Sequence, residues 1–168
     1  LQMANAYAVI ANGGYRMQPR LVQRVTHASG EIVFDAPPQS TTTVERVVSA
    51  RNTFLVSTLL QEVTRSGTAA RAQANLRRPD VYGKTGTTND VVDAWFAGFH
   101  PTLSAVVWVG YDTPRSLGTR ASGSALALPT WIEFMATALK KVPVQELSAP
   151  EGVVRAAESG EWRYAEWI

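Results

Sequence analysis

Cysteine is absent from the 168-residue sequence, which excludes disulfide bonds, thiolate metal sites and a cysteine nucleophile. Long apolar runs are absent as well, since none approaches the ~20 residues that a membrane-spanning helix needs. Charge of one sign is scarce, because 16 basic residues face 14 acidic ones in short runs only. A nucleic-acid partner is therefore not expected. The hydrophobic share of 45% is enough for the core of one globular domain.

The first expected element is an amphipathic helix at the start of the chain. Met3, Tyr7 and Ile10 recur at helical spacing. Asn12 precedes two glycines, and such residues favour the left-handed backbone at which helices end. The helix should therefore stop near Asn12.

A small hairpin is expected next, within about residues 20–35. β-prone runs at 21–26 and 31–34 flank a turn-like spacer that contains glycine. The stretch 35–43 has neither helical nor strand periodicity, so it is predicted to be a loop.

A second helix should begin at Ser49, because serine is a preferred residue at helix N-termini. Leu55, Leu59 and Val63 lie on one face of this helix and are expected to be packed. Residues 68–80 are small, basic and finally proline-containing, which indicates an irregular approach to the following strand.

Three strands are predicted at 81–88, 94–99 and 104–111. The short links between them favour an antiparallel meander. The second and third runs are too continuously apolar for a sheet with one wet face, so helices should cover both faces. The predicted fold class is α+β, an antiparallel sheet flanked by helices.

The last part of the chain should hold one more helix and a tail. After a loop at 112–126, Pro129 suits the first turn of a helix. Its expected core face comprises Trp131, Phe134, Met135, Ala138 and Leu139. From Pro143 the chain is polar, and this tail either wraps the domain or belongs to a neighbouring one.

Residues 81–90 read Val-Tyr-Gly-Lys-Thr-Gly-Thr-Thr-Asn-Asp and combine a β-prone approach with polar groups. One cation, three hydroxyls and two backbone-opening glycines suit the binding of an anion: Lys84, then Thr85, Thr87 and Thr88, then Gly83 and Gly86. An ordinary edge strand accounts for such a composition about equally well.

Two other chemistries fit the same region less well. Gly-Lys-Thr at 83–85 could end a phosphate-binding loop, but that loop needs a glycine at the position that Arg78 occupies. Asp90 and Asp93 lack His or Glu partners at metal-ligand spacing. We interpret both as loop carboxylates that bond nearby backbone amides.

The histidines and three of the tryptophans are predicted to have structural rather than catalytic roles. His27 and His100 fall in turn contexts and are predicted to be surface residues rather than catalytic bases. Trp95, Trp108 and Trp131 fall on predicted core faces and are expected to be packed.

Lys-Thr-Gly at 84–86 is one of three signatures shared by serine β-lactamases and penicillin-binding proteins. It stands inside a longer series, with Asp-Ala-Trp-Phe-Ala-Gly-Phe at 93–99 and Val-Trp-Val-Gly-Tyr-Asp at 107–112. This series resembles the transpeptidase domain of class A (bifunctional) penicillin-binding proteins. The resemblance assigns residues 1–141 to the C-terminal portion of that domain and 142–168 to a C-terminal tail.

The resemblance implies a serine D,D-transpeptidase that cross-links peptidoglycan stem peptides and binds β-lactams, without metal or cofactor. Lys84 would be the catalytic cation that supports the nucleophile. Thr85, Gly86, Thr87 and Thr88 would form the substrate-binding wall. Within it, the Thr85 and Thr87 side chains would hold a carboxylate, and the Thr87 N–H would stabilise an oxyanion. The family also implies the outer, periplasmic face of the cytoplasmic membrane, reached through an N-terminal anchor.

The other two family signatures do not occur in this sequence. No serine is followed three residues later by lysine, and no Ser-x-Asn is present. We therefore expect no nucleophile in this chain and no acylation by the chain alone. Because the sequence opens with Leu1 directly in a helical pattern, we interpret it as a fragment of a larger protein.

Truncation would expose apolar surfaces, which soluble monomers seldom tolerate. The fragment is accordingly expected to be ordered only with the missing N-terminal part of the domain or with another copy of the chain. An alternative hypothesis is a non-catalytic module that binds a peptide or partner along the same strand edge.

Overall fold

A computed structural model describes residues 1–167 of the chain. The helices in this range are α1 (Gln2–Ala11), α2 (Ala50–Arg65), α3 (Arg71–Leu76) and α4 (Leu128–Ala138). The strands are β1 (Arg24–Thr26), β2 (Ile32–Asp35), β3 (Tyr82–Thr87), β4 (Asp93–His100), β5 (Leu103–Gly110), β6 (Val153–Arg155) and β7 (Trp162–Tyr164).

The central sheet has the order β3-β4-β5 with antiparallel pairing throughout, which confirms the expected meander. Its register sets Lys84 opposite Ala97 and Tyr82 opposite Phe99. Helices cover both faces. On one face Phe96 packs edge-on against Trp131 of α4, and on the other Tyr82 and Phe99 cluster with residues of α1. The α+β fold class is thereby confirmed.

The boundaries of α1 and α2 follow from local chemistry as expected. Asn12 ends α1, and its side chain both donates to Tyr15 O and accepts from Tyr15 N, each at 2.9 Å. Ser49 caps α2, because its hydroxyl accepts from the backbone N–H of Asn52 at 3.2 Å.

The expected core face of α2 is wrong in part. Leu59 is 68% exposed, whereas Phe54, Ser57 and Thr64 are buried. Phe54 meets the ring of Trp162 in an edge-on contact with centroids 5.1 Å apart. The helix is thus turned toward the tail hairpin β6-β7, a contact that the spacing of leucines within α2 does not reveal.

Residues 68–80 are more regular than predicted, since they contain the short helix α3. The last helix also differs from expectation. A π-helical turn at Gly123–Ala127 leads directly into α4, so helical structure begins before Pro129. Trp131, Met135 and Leu139 are buried as expected, but Phe134 is 50% exposed because the packed stripe of α4 is narrower than the pattern suggested.

The two predicted peripheral segments have contrasting environments. The hairpin β1-β2 forms at the expected place, but all of its strand residues are exposed. The tail packs back onto the body of the chain. Arg51 of α2 pairs with Glu166 at 3.2 Å, and Asn52 accepts a hydrogen bond from the hydroxyl of Tyr164.

His100 is fully buried, so its interpretation as a surface turn residue is wrong. It lies at the end of β4 beside Asp80, which precedes β3, because the β3-β4 register brings these two positions together. Asp80 accepts two hydrogen bonds from Arg78, at 2.8 and 2.7 Å. Arg78 also donates to carbonyl oxygens of the tail, such as Val142 O at 2.9 Å. This cluster ties the end of α4 to the start of β3.

Candidate functional site

Strand β3 lies at an edge of the central sheet, because within residues 1–167 it pairs only with β4. Its side chains alternate between the two faces. Lys84 lies on the face of α1, where it lines an open pocket of about 330 Å³ together with Met3, Tyr7 and Trp95. The ammonium group of Lys84 donates to Thr85 O at 3.0 Å and remains exposed to solvent.

Tyr7 also lines this pocket. Burial raises the pKa of its hydroxyl above the ordinary value, so the group is neutral at physiological pH. Met3, Trp95 and Ala97 form the apolar part of the lining, and Lys84 is the one cation of the pocket among the described residues. Such a pocket can orient an anionic or strongly polar group next to the strand edge.

Thr85 and Thr87 follow the opposite alternation from Lys84. The hydroxyl of Thr85 lies 2.8 Å from that of Thr68, in the loop between α2 and α3. The hydroxyl of Thr87 accepts from the backbone N–H of Gly123 at 3.0 Å. The strand edge therefore runs between a cationic pocket on one face and a row of hydroxyls on the other.

Packing inside the chain requires a glycine at position 83 and is tight at position 86. A Cβ atom on Gly83 would lie 2.6 Å from the ring of Phe96 and 2.8 Å from Ala97 O. On Gly86 it would lie 3.2 Å from the Cβ of Trp95. Gly123 packs just as closely, since a Cβ there would meet Gly86 O at 2.6 Å. These contacts set the distance between β3 and the segment around Gly123.

Thr88 differs from the other threonines of the motif, because it lies after the end of β3. Its hydroxyl accepts from the backbone N–H of Asp93 at 2.9 Å. Asp93 in turn accepts from the indole N–H of Trp108 at 2.7 Å. The interpretation of Asp93 as a loop carboxylate that bonds backbone amides is therefore wrong, because Asp93 begins β4 and its carboxylate binds an indole of the neighbouring strand. Trp108 is 44% exposed, so its assignment to the core is wrong, while its polar edge is satisfied at the surface.

Several residues of this region were not found by sequence reasoning. Thr68 lies 17 positions before Thr85, and Gly123 lies 36 positions after Thr87. Arg71 of α3 donates to Ser124 O at 2.6 Å, at the residue that follows Gly123. No local pattern joins these positions, although a glycine beside two serines at 122–124 hinted at close backbone contact.

Metal and membrane chemistry receive no support from the described part of the chain. Residues 1–167 hold no group of three or more His, Asp or Glu side chains that could bind a metal ion. None of the helices in the same range combines the length and the apolar character of a membrane span.

Comparison with known proteins places this arrangement in context. The family model of the penicillin binding protein transpeptidase domain matches residues 1–133. Penicillin-binding protein 1A of Neisseria flavescens is 39% identical over 155 residues, which cover 92% of this chain and 19% of that protein. Penicillin-binding protein 1A of Pseudomonas aeruginosa is 33% identical over 200 residues, covering 92% of this chain and 24% of that protein.

Two solved structures are also similar to this chain. The crystal structure of penicillin-binding protein 1A from Haemophilus influenzae has a TM-score of 0.85 and 29% identity, covering 97% of this chain and 31% of that one. The D,D-transpeptidase domain of a peptidoglycan glycosyltransferase from Eggerthella lenta has a TM-score of 0.60 and 30% identity, covering 84% and 32%. The chain thus spans about a fifth of the length of the sequence relatives it matches.

Proposed function

Because this chain belongs to the transpeptidase-domain family of penicillin-binding proteins, we propose that β3 forms one wall of an acyl-transfer site for peptidoglycan stem peptides. The nucleophilic serine and its lysine would come from residues outside these 168, since no Ser-x-x-Lys occurs within them. The chain alone would not be acylated. The proposed setting is the periplasmic face of the cytoplasmic membrane.

The observation that carries the proposal is the open edge of β3, with Lys84 on one face and the Thr85 and Thr87 hydroxyls on the other. An extended peptide can add to such an edge through main-chain hydrogen bonds. Its terminal carboxylate would meet the hydroxyls of Thr85 and Thr87, while Lys84, on the other face, would act on the nucleophile supplied by another segment.

The chemistry would proceed by attack of the serine oxygen on the penultimate D-alanyl carbonyl. The C–N bond to the terminal D-alanine breaks, and the departing amine takes up the proton that the serine hydroxyl lost. An amine of a second stem peptide then attacks the acyl carbon, the ester bond to serine breaks, and the serine oxygen regains a proton from the attacking amine. Lys84 would hold the hydrogen-bond network and the electrostatic field around the nucleophile. The Thr87 N–H would donate to the developing oxyanion, a contribution of about 3 kcal/mol in comparable sites.

A β-lactam also carries a reactive amide carbonyl and a carboxylate, so a fluorescent penicillin tests the proposal. The full-length protein that contains this chain should be labelled covalently. Lys84→Ala should reduce the labelling rate by at least tenfold, whereas Lys140→Ala, at an exposed lysine after α4, should leave it unchanged. Covalent labelling of the 168-residue chain by itself would contradict the assignment of the nucleophile to another segment.

The remaining segments of the domain, or a second copy of the chain, are the proposed cover for exposed apolar groups such as Leu1 and Met3. Met3 borders the Lys84 pocket, so its cover would also close that pocket. Analytical size exclusion of the isolated chain tests this, because a monomer with cooperative melting would count against it.

A further inference from the structure

The loop between α2 and α3 brings Thr68 into contact with Thr85, although Thr68 lies outside the strand that carries the family signature. From this contact, and from the position of Arg71 three residues later, we propose that Thr68 and Arg71 complete a binding site for the substrate carboxylate. The inference rests on the proposed function and adds specificity residues to it.

Hydroxyl protons are available on this face of β3. Thr68 Oγ1 and Thr85 Oγ1 are 2.8 Å apart, so one donates to the other and the pair retains one proton for an outside acceptor. Thr87 Oγ1 accepts from Gly123 N at 3.0 Å, which leaves its own proton free to donate. Two protons are thus available on one face of β3, which matches the two oxygens of a carboxylate.

The loop that carries Thr68 is rigid. Thr68 is held between Gly67, where a Cβ would lie 2.9 Å from the Cα of Val63, and Ala69, which is fully buried. The backbone N–H of Ala69 also donates to Val63 O at 3.1 Å. The loop is therefore fixed on α2, and Thr68 is oriented before any ligand arrives, which reduces the entropy that binding must offset.

Arg71 carries the positive charge of the proposed site. The guanidinium of Arg71 donates to Ser124 O at 2.6 Å, next to the residue whose N–H holds Thr87. Within residues 1–167 Arg71 forms no salt bridge, so its charge is not neutralised by a carboxylate of this part of the chain. Such a cation attracts an anion with a strength that salt reduces.

The experiment measures the second-order rate of acylation in the full-length protein that contains this chain, using benzylpenicillin and its methyl ester. The ester lacks the carboxylate but keeps the reactive ring. Thr68→Val should slow acylation by benzylpenicillin about tenfold, since one hydrogen bond to a charged group is lost. Thr68→Ser should restore the rate to within about twofold. With the ester, Thr68→Val should change the rate less than twofold.

Arg71→Gln should slow acylation by benzylpenicillin about fivefold at low salt and less at high salt, again without effect on the ester. Arg77→Gln is the matched control, because Arg77 is an exposed arginine at the other end of α3 and should have no effect. Melting temperatures of all variants check that they remain folded.

The outcomes separate the two proposals. If the unchanged protein is acylated in a Lys84-dependent way but the Thr68 and Arg71 variants lose equal activity on both compounds, or none, the present inference is overturned and the proposed function stands. If the unchanged protein is not acylated at all, the proposed function fails and this inference falls with it. Selective loss on the carboxylate-bearing compound supports both.

Discussion

The Nε2 atom of His100 lies 3.0 Å from Oδ2 of Asp80, and both side chains are fully buried. The backbone N–H of Thr102 donates to Nδ1 of His100 at 3.2 Å, so Nδ1 is the acceptor and Nε2–H donates to Asp80. Burial lowers the pKa of His100, against the opposing charge of Asp80. The imidazole is therefore neutral at physiological pH.

Burial alone would raise the pKa of Asp80, but its hydrogen bonds to Arg78 and Gln145 and the nearby positive charge outweigh burial and lower it from 3.8 to about 2. Between about pH 4 and pH 2, Asp80 is therefore protonated in the unfolded chain but remains ionised in the folded chain. The free energy of unfolding should fall over this window by about 2 kcal/mol. His100 acts in the same direction, because the unfolded histidine is protonated below about pH 6.5 and the folded one resists.

Urea titrations of the full-length protein that contains this chain, from pH 7 to pH 3, should thus show stability declining with acid from about pH 6.5. His100→Gln keeps an N–H donor for Asp80 but removes the titration, so the early part of the decline should shrink while the part below pH 4 remains. A flat profile between pH 7 and pH 3 in the unchanged chain would show that this buried cluster does not form in solution.

Arg78 is expected to be the most sensitive position of this cluster. Arg78→Met leaves the buried carboxylate of Asp80 without its two-point partner, which should cost about 3–5 kcal/mol of unfolding free energy. Arg77→Met, at the adjacent exposed position, should change stability by less than about 0.5 kcal/mol. Thermal and urea unfolding of both variants measure the difference, and equal effects would contradict the role of the buried pair.

Local chemistry was sufficient to predict the central sheet and two helix ends. The continuous apolar runs and short links determine the meander, while Ser49 and Asn12 act within three residues of themselves. The signature around Lys84 was equally local. Contacts between distant positions could not be predicted in this way. His100 is buried because the β3-β4 register brings it to Asp80, and Phe54 is buried because the tail supplies Trp162. Period and propensity within a segment carry no information about such partners.

Gly123 links the region before α4 to the signature strand, and its replacement tests that link. In Gly123→Ala the added Cβ would lie 2.4 Å from Trp95 O and 2.6 Å from Gly86 O, both rigid backbone atoms. The neighbouring chain must shift, so we expect a loss of about 1–3 kcal/mol and a changed amide NMR signal for Thr87.

Gly160→Ala provides the comparison for Gly123. Gly160 has a φ of +70° but open space around its Cβ position, so only backbone strain applies. A cost of about 1 kcal/mol is expected there, without any change at Thr87. If Gly123→Ala also left the Thr87 signal in place, the close contact between Gly123 and β3 would be disproved.

The orientation of α2 gives the last prediction. Phe54 is buried against Trp162, so Phe54→Ala should cost about 3–5 kcal/mol. Leu59 is 68% exposed, so Leu59→Ser should change the stability of the full-length protein that contains this chain by less than about 0.5 kcal/mol. Urea unfolding at several protein concentrations measures both. A large, concentration-dependent cost of Leu59→Ser would mean that another copy of the protein covers this face of α2 in solution, because only an intermolecular contact depends on protein concentration.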